Sequence, residues 1–216
     1  AKYADAIVVL GERDLKNYKD KLRRINRIVR IYNPVTVSLD TKSKLEEKTV
    51  LAVGRLTRQK GFDLLLEAWR YIEPEFGDWS LRIIGDGEEK ENLCNIIKTY
   101  HFQNVEIIPY QRDIDQWYMR ASLFALSSRY EGFVLVMIEA MAKGLPVVSF
   151  NCKEGPAELI DDGINGYLVD DGKVELFAEK LKYLMRDGEL RRRFAEKTDL
   201  KLLEFDSTHV LSEWDS

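Results

Sequence analysis

Short apolar runs rich in β-branched residues recur along the chain, separated by longer stretches in which apolar positions return every three or four residues. Runs at 7–10, 28–31, 49–53, 81–84, 105–108, 123–126 and 147–150 are too short for helices and predict buried strands. The stretches at 14–25, 62–71, 90–100, 114–120, 133–143, 156–160 and 175–185 predict helices. Pro156 follows Gly155 at a first helical position, where its missing N–H costs nothing. From residue 35 onward strand and helix alternate regularly, which predicts an α/β fold: a Rossmann-like parallel sheet with helices on both faces. Residues 166–169 read as a short extra edge, and the charged end from about Asp199 reads as mobile. No repeat and no low-complexity linker interrupts the pattern.

Within that frame the stretch from Arg129 to Pro146 is the most informative. Glu131 and Glu139 form a Glu-x7-Glu element around an apolar segment bounded by Gly132 and Gly144-Leu145-Pro146. Residues 133–143 contain no breaker, and Gly144 can take the left-handed cap conformation before Pro146 ends the helix. Gly132 allows a ligand close to the backbone. The unpaired N–H groups near 134–136 would form an anion site. Glu139, further along the helix, suits neutral hydroxyls instead, such as the vicinal pair of a sugar. The same text also fits an ordinary core helix with two glutamates on its wet ends.

A second segment has the complementary charge. The strand at 49–53 ends in Gly54, and Arg55-Leu56-Thr57-Arg58-Gln59-Lys60-Gly61 leads into the helix at 62–71. Open parallel sheets place ligands at the carboxyl ends of their strands. There, the planar fork of Arg55 and the compact charge of Lys60 suit two linked phosphates. Alone, this reads better as a solvated basic turn.

Together the segments resemble the nucleotide-binding half of the family 4 retaining glycosyltransferases (GT4), which have the GT-B architecture. The resemblance rests on VGRLTRQKGFDLLLEAW, RIIGDGEE, SSRYEGFVLVMIEAMAKGLPVVSF and EGPAELIDDGINGYLV, and runs from about Thr49 to about Leu184. It implies that Arg55 and Lys60, after Gly54, hold the diphosphate of a nucleotide-sugar, and that Glu139 holds the ribose hydroxyls. Glu131 would orient the transferred sugar without acting as a nucleophile. Backbone N–H groups around Gly132, Phe133, Val134 and Leu135 would hold the sugar and distal phosphate, and the loop carrying Tyr110 and Gln111 would receive the base. Arg55, Lys60 and Glu131 are the residues expected to carry catalysis.

The resemblance also implies no metal and no cofactor, a UDP-sugar as sugar donor, a glycan or lipid-linked acceptor, and a place in polysaccharide biosynthesis. Residues 1–34 would be the last strand, helix and strand of a mostly absent acceptor-binding domain, with the hinge at Asn33-Pro34. Residues 35–204 would form the nucleotide-sugar-binding domain and 205–216 a crossover segment. As a piece of a two-domain enzyme the chain would bind the sugar donor but transfer nothing. A catalytically inactive nucleotide-sugar-binding module is the alternative. A glycan phosphorylase is disfavoured because no lysine stands in a recognisable pyridoxal setting.

Composition narrows the choices further. At 216 residues and 45% hydrophobic, the chain can bury a full core. A net charge of −4 disfavours a general nucleic-acid binder. Cys94 and Cys152 stand in unrelated contexts, which argues for thiols in a reducing compartment, and no run approaches a membrane span. The expected location is the cytoplasm, with peripheral contact at the inner face of the membrane if Lys21-Leu22-Arg23-Arg24 or Arg191-Arg192-Arg193 meets anionic headgroups rather than water. His101 and His209 have no partners at metal-ligand spacing. Gly85-Asp86-Gly87 lacks the third glycine of a dinucleotide fingerprint, and Phe62 replaces the hydroxyl residue of a Walker A loop.

Overall fold

The computed structural model describes residues 6–21, 27–33, 41–132, 134–153, 155–202 and 207–214. Six parallel strands form the main sheet: β3 (Thr49–Val53), β4 (Ser80–Ile84), β5 (Val105–Ile108), β6 (Leu123–Leu126), β7 (Val147–Phe150) and β8 (Gly166–Val169). Their order is β5-β4-β3-β6-β7-β8. The chain winds outward from β3 to β5, then returns to β6 beside β3 and winds the other way. That reversal opens a crevice at the carboxyl ends of β3 and β6, the place where such sheets take ligands. A separate pair, β1 (Ile7–Val9) and β2 (Ile28–Arg30), flanks α1 (Glu12–Lys21).

Every predicted strand is present, with bounds within one residue of the expectation. Central strands β6 and β7 are buried at every position, which explains why they are apolar throughout apart from Ser149, whose hydroxyl donates to the Phe150 carbonyl. On one face α2 (Phe62–Ile72), α3 (Lys90–Thr99) and α7 (Val174–Arg186) cover the sheet. The inner stripe of α2 is Leu65, Leu66, Trp69 and Ile72, all fully buried. Each such aliphatic side chain contributes roughly 1.5–3 kcal/mol over leaving it exposed. The opposite face carries α4 (Asp115–Arg120), α5 (Leu135–Ala142) and the short α6 (Pro156–Leu159).

Three expectations need correction. The helix expected over 133–143 begins at Leu135, and residue 133 lies outside the described residues. Its end follows the prediction: Gly144 has φ 74°, and the Gly144 and Leu145 N–H groups donate to the Met141 and Ala140 carbonyls. The chain end is helical, as α8 (Gly188–Leu202) and α9 (Ser207–Trp214). Along α8, Phe194 joins the core on one face and Leu202 the core on the other, so this charged helix ties the two layers together. In α9, Val210 is fully buried in the cluster that contains Ile31 and Tyr32.

The Arg191 side of the basic run is not solvated. Its guanidinium donates to the Leu184, Met185 and Leu45 carbonyls and lies 5.3 Å from the Trp79 ring centroid. Arg192 and Arg193 do face water. The run at 21–24 falls almost wholly outside the described residues. Among the described residues, no helix is long and apolar enough to cross a membrane, and no group of three or more His, Cys, Asp or Glu side chains is arranged to hold a metal ion.

Candidate functional site

A cavity of about 690 Å³ opens above the crevice. The β3 loop supplies Gly54, Arg55, Gln59 and Lys60, and the β4 loop supplies Gly85 and Asp86. Tyr110, Gln111, Arg112 and Ile114 come from the segment after β5, and Glu131, Val136 and Glu139 from the other side. Seven of the residues singled out from sequence therefore meet in one place: Gly54, Arg55, Lys60, Tyr110, Gln111, Glu131 and Glu139.

The β3 loop is held against the loop after β6 by a dense set of bonds. Gly61 has φ 62°, and a Cβ there would lie 2.1 Å from the Ser127 carbonyl oxygen, so only glycine lets the loops approach this closely. Ser127 Oγ donates to the Lys60 carbonyl at 3.0 Å, and Arg129 N to the Gln59 carbonyl at 2.8 Å. Arg129 also grips Asp63 with both arms of its fork, at 2.7 and 2.6 Å. Burial opposes ionisation of Asp63, but the hydrogen bond and charge of Arg129 outweigh it and hold the carboxyl below its usual range.

This stitching brings Lys60 to Glu131. The Lys60 ammonium lies 2.7 Å from Glu131 Oε1, with the two side chains only 15% and 5% exposed, and Ser128 Oγ donates to the same oxygen. An ammonium has three donors, so bonding to Glu131 leaves Lys60 with capacity for an anion. The guanidinium of Arg55 is exposed and makes no ion pair among the described residues. The Lys60–Glu131 contact joins two residues assigned separately to phosphate and sugar, and the sequence contained no sign of it.

At the opposite wall, Glu139 Oε2 accepts a hydrogen bond from the hydroxyl of buried Tyr118 at 3.0 Å. Burial and the Glu139 charge push the Tyr118 hydroxyl well above its ordinary range, so it stays protonated as a donor. Helix α5 starts at Leu135, and Met137 and Ile138 donate to the Val134 carbonyl. The Leu135 and Val136 N–H groups precede these first turn bonds, and Val136 lines the cavity. Val134 itself is buried. Gly132 does not line the large cavity but a separate small one of about 10 Å³, with Gly11, Tyr32, Gly155 and Glu158. A Cβ at Gly132 would meet nothing within 4 Å.

The Gly85-x-Gly87 pair has a packing role. A Cβ at Gly85 would stand 1.9 Å from the Gly54 carbonyl oxygen, so these glycines let the β4 loop lie along the β3 loop. Asp86 then accepts the Tyr110 N–H at 2.8 Å and the Lys90 ammonium at 3.0 Å, and both bonds lower its carboxyl pKa. The Tyr110 N–H is thus already engaged, while its ring is 72% exposed at the cavity mouth. Cys152 lies behind Glu131; burial, aided by the Glu131 charge, pushes its thiol up to about 12 and leaves it protonated at neutral pH.

Asp63, Asp86, Tyr118, Ser128 and Arg129 escaped the sequence reading as supports of the site. Tyr118 and Glu139 are 21 residues apart, Asp86 and Tyr110 24, and Asp63 and Arg129 66, and no spacing rule links them; Ser128 lies only three residues from Glu131, but nothing in the sequence marks its hydroxyl as that carboxylate's donor.

A six-stranded parallel sheet wound in both directions, with its cavity at the reversal, is the fold of the nucleotide-binding half of a GT-B glycosyltransferase. The chain belongs to the glycosyl transferases group 1, whose family model matches residues 38–201. It is 38% identical over 212 residues to an uncharacterized glycosyltransferase of Haemophilus influenzae, covering 97% of this chain and 60% of that protein. It is 36% identical to the amylovoran biosynthesis glycosyltransferase AmsD of Erwinia amylovora, covering 98% and 61%. A crystal structure of a mutant of S. aureus TarM in complex with fondaparinux, alpha-GlcNAc-glycerol and UDP superposes with a TM-score of 0.91 at 27% identity, covering 99% of this chain and 44% of that one. The chain thus spans about 60% of the length of these two relatives.

Proposed function

We propose that this chain is the sugar-donor-binding part of a retaining, metal-independent glycosyltransferase that moves a sugar from a UDP-sugar to a hydroxyl of a glycan or lipid-linked acceptor. The observation that carries this reading is the convergence of Arg55, Lys60 and the first turn of α5 on one cavity, with Glu131 and Glu139 on its walls. A pyrophosphate would lie between the cations and the helix start, and Glu139 and Glu131 would receive the ribose and the transferred sugar. UDP in the TarM complex and amylovoran in the name of the Erwinia relative support the leaving group and a polysaccharide role.

Breaking the bond between the anomeric carbon and the phosphate oxygen puts negative charge on the diphosphate. Arg55, Lys60 and the α5 N–H groups would stabilise it. The acceptor oxygen bonds to the anomeric carbon on the face the phosphate leaves, and its proton passes to the departing phosphate, so no side-chain base is needed. Glu131, bonded to Lys60 and Ser128, has a fixed orientation suited to accepting sugar hydroxyls. Residues 1–34 are assigned to an acceptor-binding domain, 35–204 to the domain that binds the sugar donor, and 205–216 to the crossover. Residues 1–216 alone would bind nucleotide-sugar without transferring it.

Calorimetric titration with UDP-, GDP- and ADP-sugars tests the proposal. UDP-sugars are expected to bind best, with no change on adding a chelator. Arg55→Ala should cost about 1.5–3 kcal/mol of that binding. Unchanged diphosphate affinity in this variant would remove Arg55 from the site.

A further inference from the structure

Helix α4 is only six residues long, yet it is fastened to α5 at two points. Near the start of α4, Asp115 Oδ2 receives the fully buried Lys143 ammonium at 2.7 Å, and Lys143 also reaches Thr41 Oγ1 at 3.2 Å. Three residues further along α4, the Tyr118 hydroxyl lies 3.0 Å from Glu139 Oε2 and 3.3 Å from the Val136 carbonyl oxygen. The attachments are three residues apart on α4 and four apart on α5 and its cap residue Lys143, so each presents one face to the other. A hydroxyl carries a single proton, and a carboxylate at the shorter distance is the stronger acceptor. Tyr118 therefore donates chiefly to Glu139, from the core side of the cavity wall.

We infer that Tyr118 is a positioning residue that clamps the Glu139 carboxylate against the core, aiming its remaining acceptor capacity at the ribose diol and setting a preference for ribonucleotides over nucleotides lacking those hydroxyls. This rests on the reading that Glu139 receives the ribose. Tyr118 is fully buried and does not line the cavity, so it would act on a ligand only through Glu139. The Lys143–Asp115 pair is the second fastening that keeps α4, and with it the Tyr118 hydroxyl, in place.

The test is calorimetric titration of UDP and 2′,3′-dideoxy-UDP into the chain, its Tyr118→Phe variant and its Glu139→Gln variant. The unaltered chain should prefer UDP by about 10-fold or more, the value of one or two hydrogen bonds to a charged group. Tyr118→Phe should weaken UDP by about 5–10-fold and leave the dideoxy nucleotide unchanged, whose binding also reports an intact site. Equal weakening of both nucleotides, or of neither, would reduce Tyr118 to a packing residue and overturn the inference. Glu139→Gln separates the two layers. If it abolishes the preference while Tyr118→Phe keeps it, only the positioning role fails; if it keeps the preference, the ribose assignment fails as well. Should Tyr118→Phe not fold, Asp115→Asn, which loosens the same helix at its other fastening, carries the test, with a retained preference counting against the inference.

Discussion

Lys143 shows how far a residue's role can depart from its place in the sequence. It caps the carboxyl end of α5 one position before a glycine, where a lysine ordinarily reaches into water and complements the helix dipole. Here it is fully buried and bonded to Asp115, whose own side chain is 38% exposed. Replacing Lys143 with alanine removes a buried partner and leaves a void beside Thr41. Because Asp115 can turn to water, the cost should fall below that of breaking a fully buried pair, at about 2 kcal/mol in urea unfolding. Arg191 departs in the same way. It reads as one of three solvated cations, but its planar fork instead donates to carbonyls in the last turn of α7. Neither assignment was legible, because the partners of both residues include groups supplied by distant segments.

Among the elements, the two loops that meet at Gly61 decide whether Lys60 and Glu131 stand together. Gly61→Ala places a methyl group 2.1 Å from the Ser127 carbonyl oxygen at a φ that L-residues rarely adopt. It should destabilise the fold by about 1–3 kcal/mol and weaken nucleotide binding, since relief of the clash separates Lys60 from Glu131. Thermal unfolding and titration on the same variant check both effects. The strands were legible because each is a short apolar run flanked by turn residues, a pattern that depends on neighbours in sequence. Helix α5 was legible to within two residues, since its cap at Gly144 is a local device. Helix α8 was missed because its buried positions among the described side chains, Phe194, Thr198 and Leu202, form a stripe one residue wide amid charge. Such a stripe is stabilised by the surfaces that receive it, here α5 and α7.

For the whole molecule, the shifted groups set a stability optimum in pH. Asp63 is held below 3.8 in the folded state, so its contribution is present above that value and is lost as pH falls through it toward the folded pKa. Cys152 is raised from 9.0 to about 12, so its contribution is complete below 9.0 and is lost as pH climbs toward 12. Urea midpoints should be level between about pH 5 and 8, fall on both sides, and lose part of the acid limb in Arg129→Met. The sequence by itself determined the strands, most helices, the parallel α/β class and a set of cations and carboxylates suited to a nucleotide-sugar, because these depend on periodicity, turn chemistry and short motifs. Tertiary structure alone decided which of those groups touch. It joined Lys60 to Glu131, backed Glu139 with Tyr118, engaged the Tyr110 N–H with Asp86 and buried Lys143, since each contact links segments that only the winding of the sheet brings within hydrogen-bond distance.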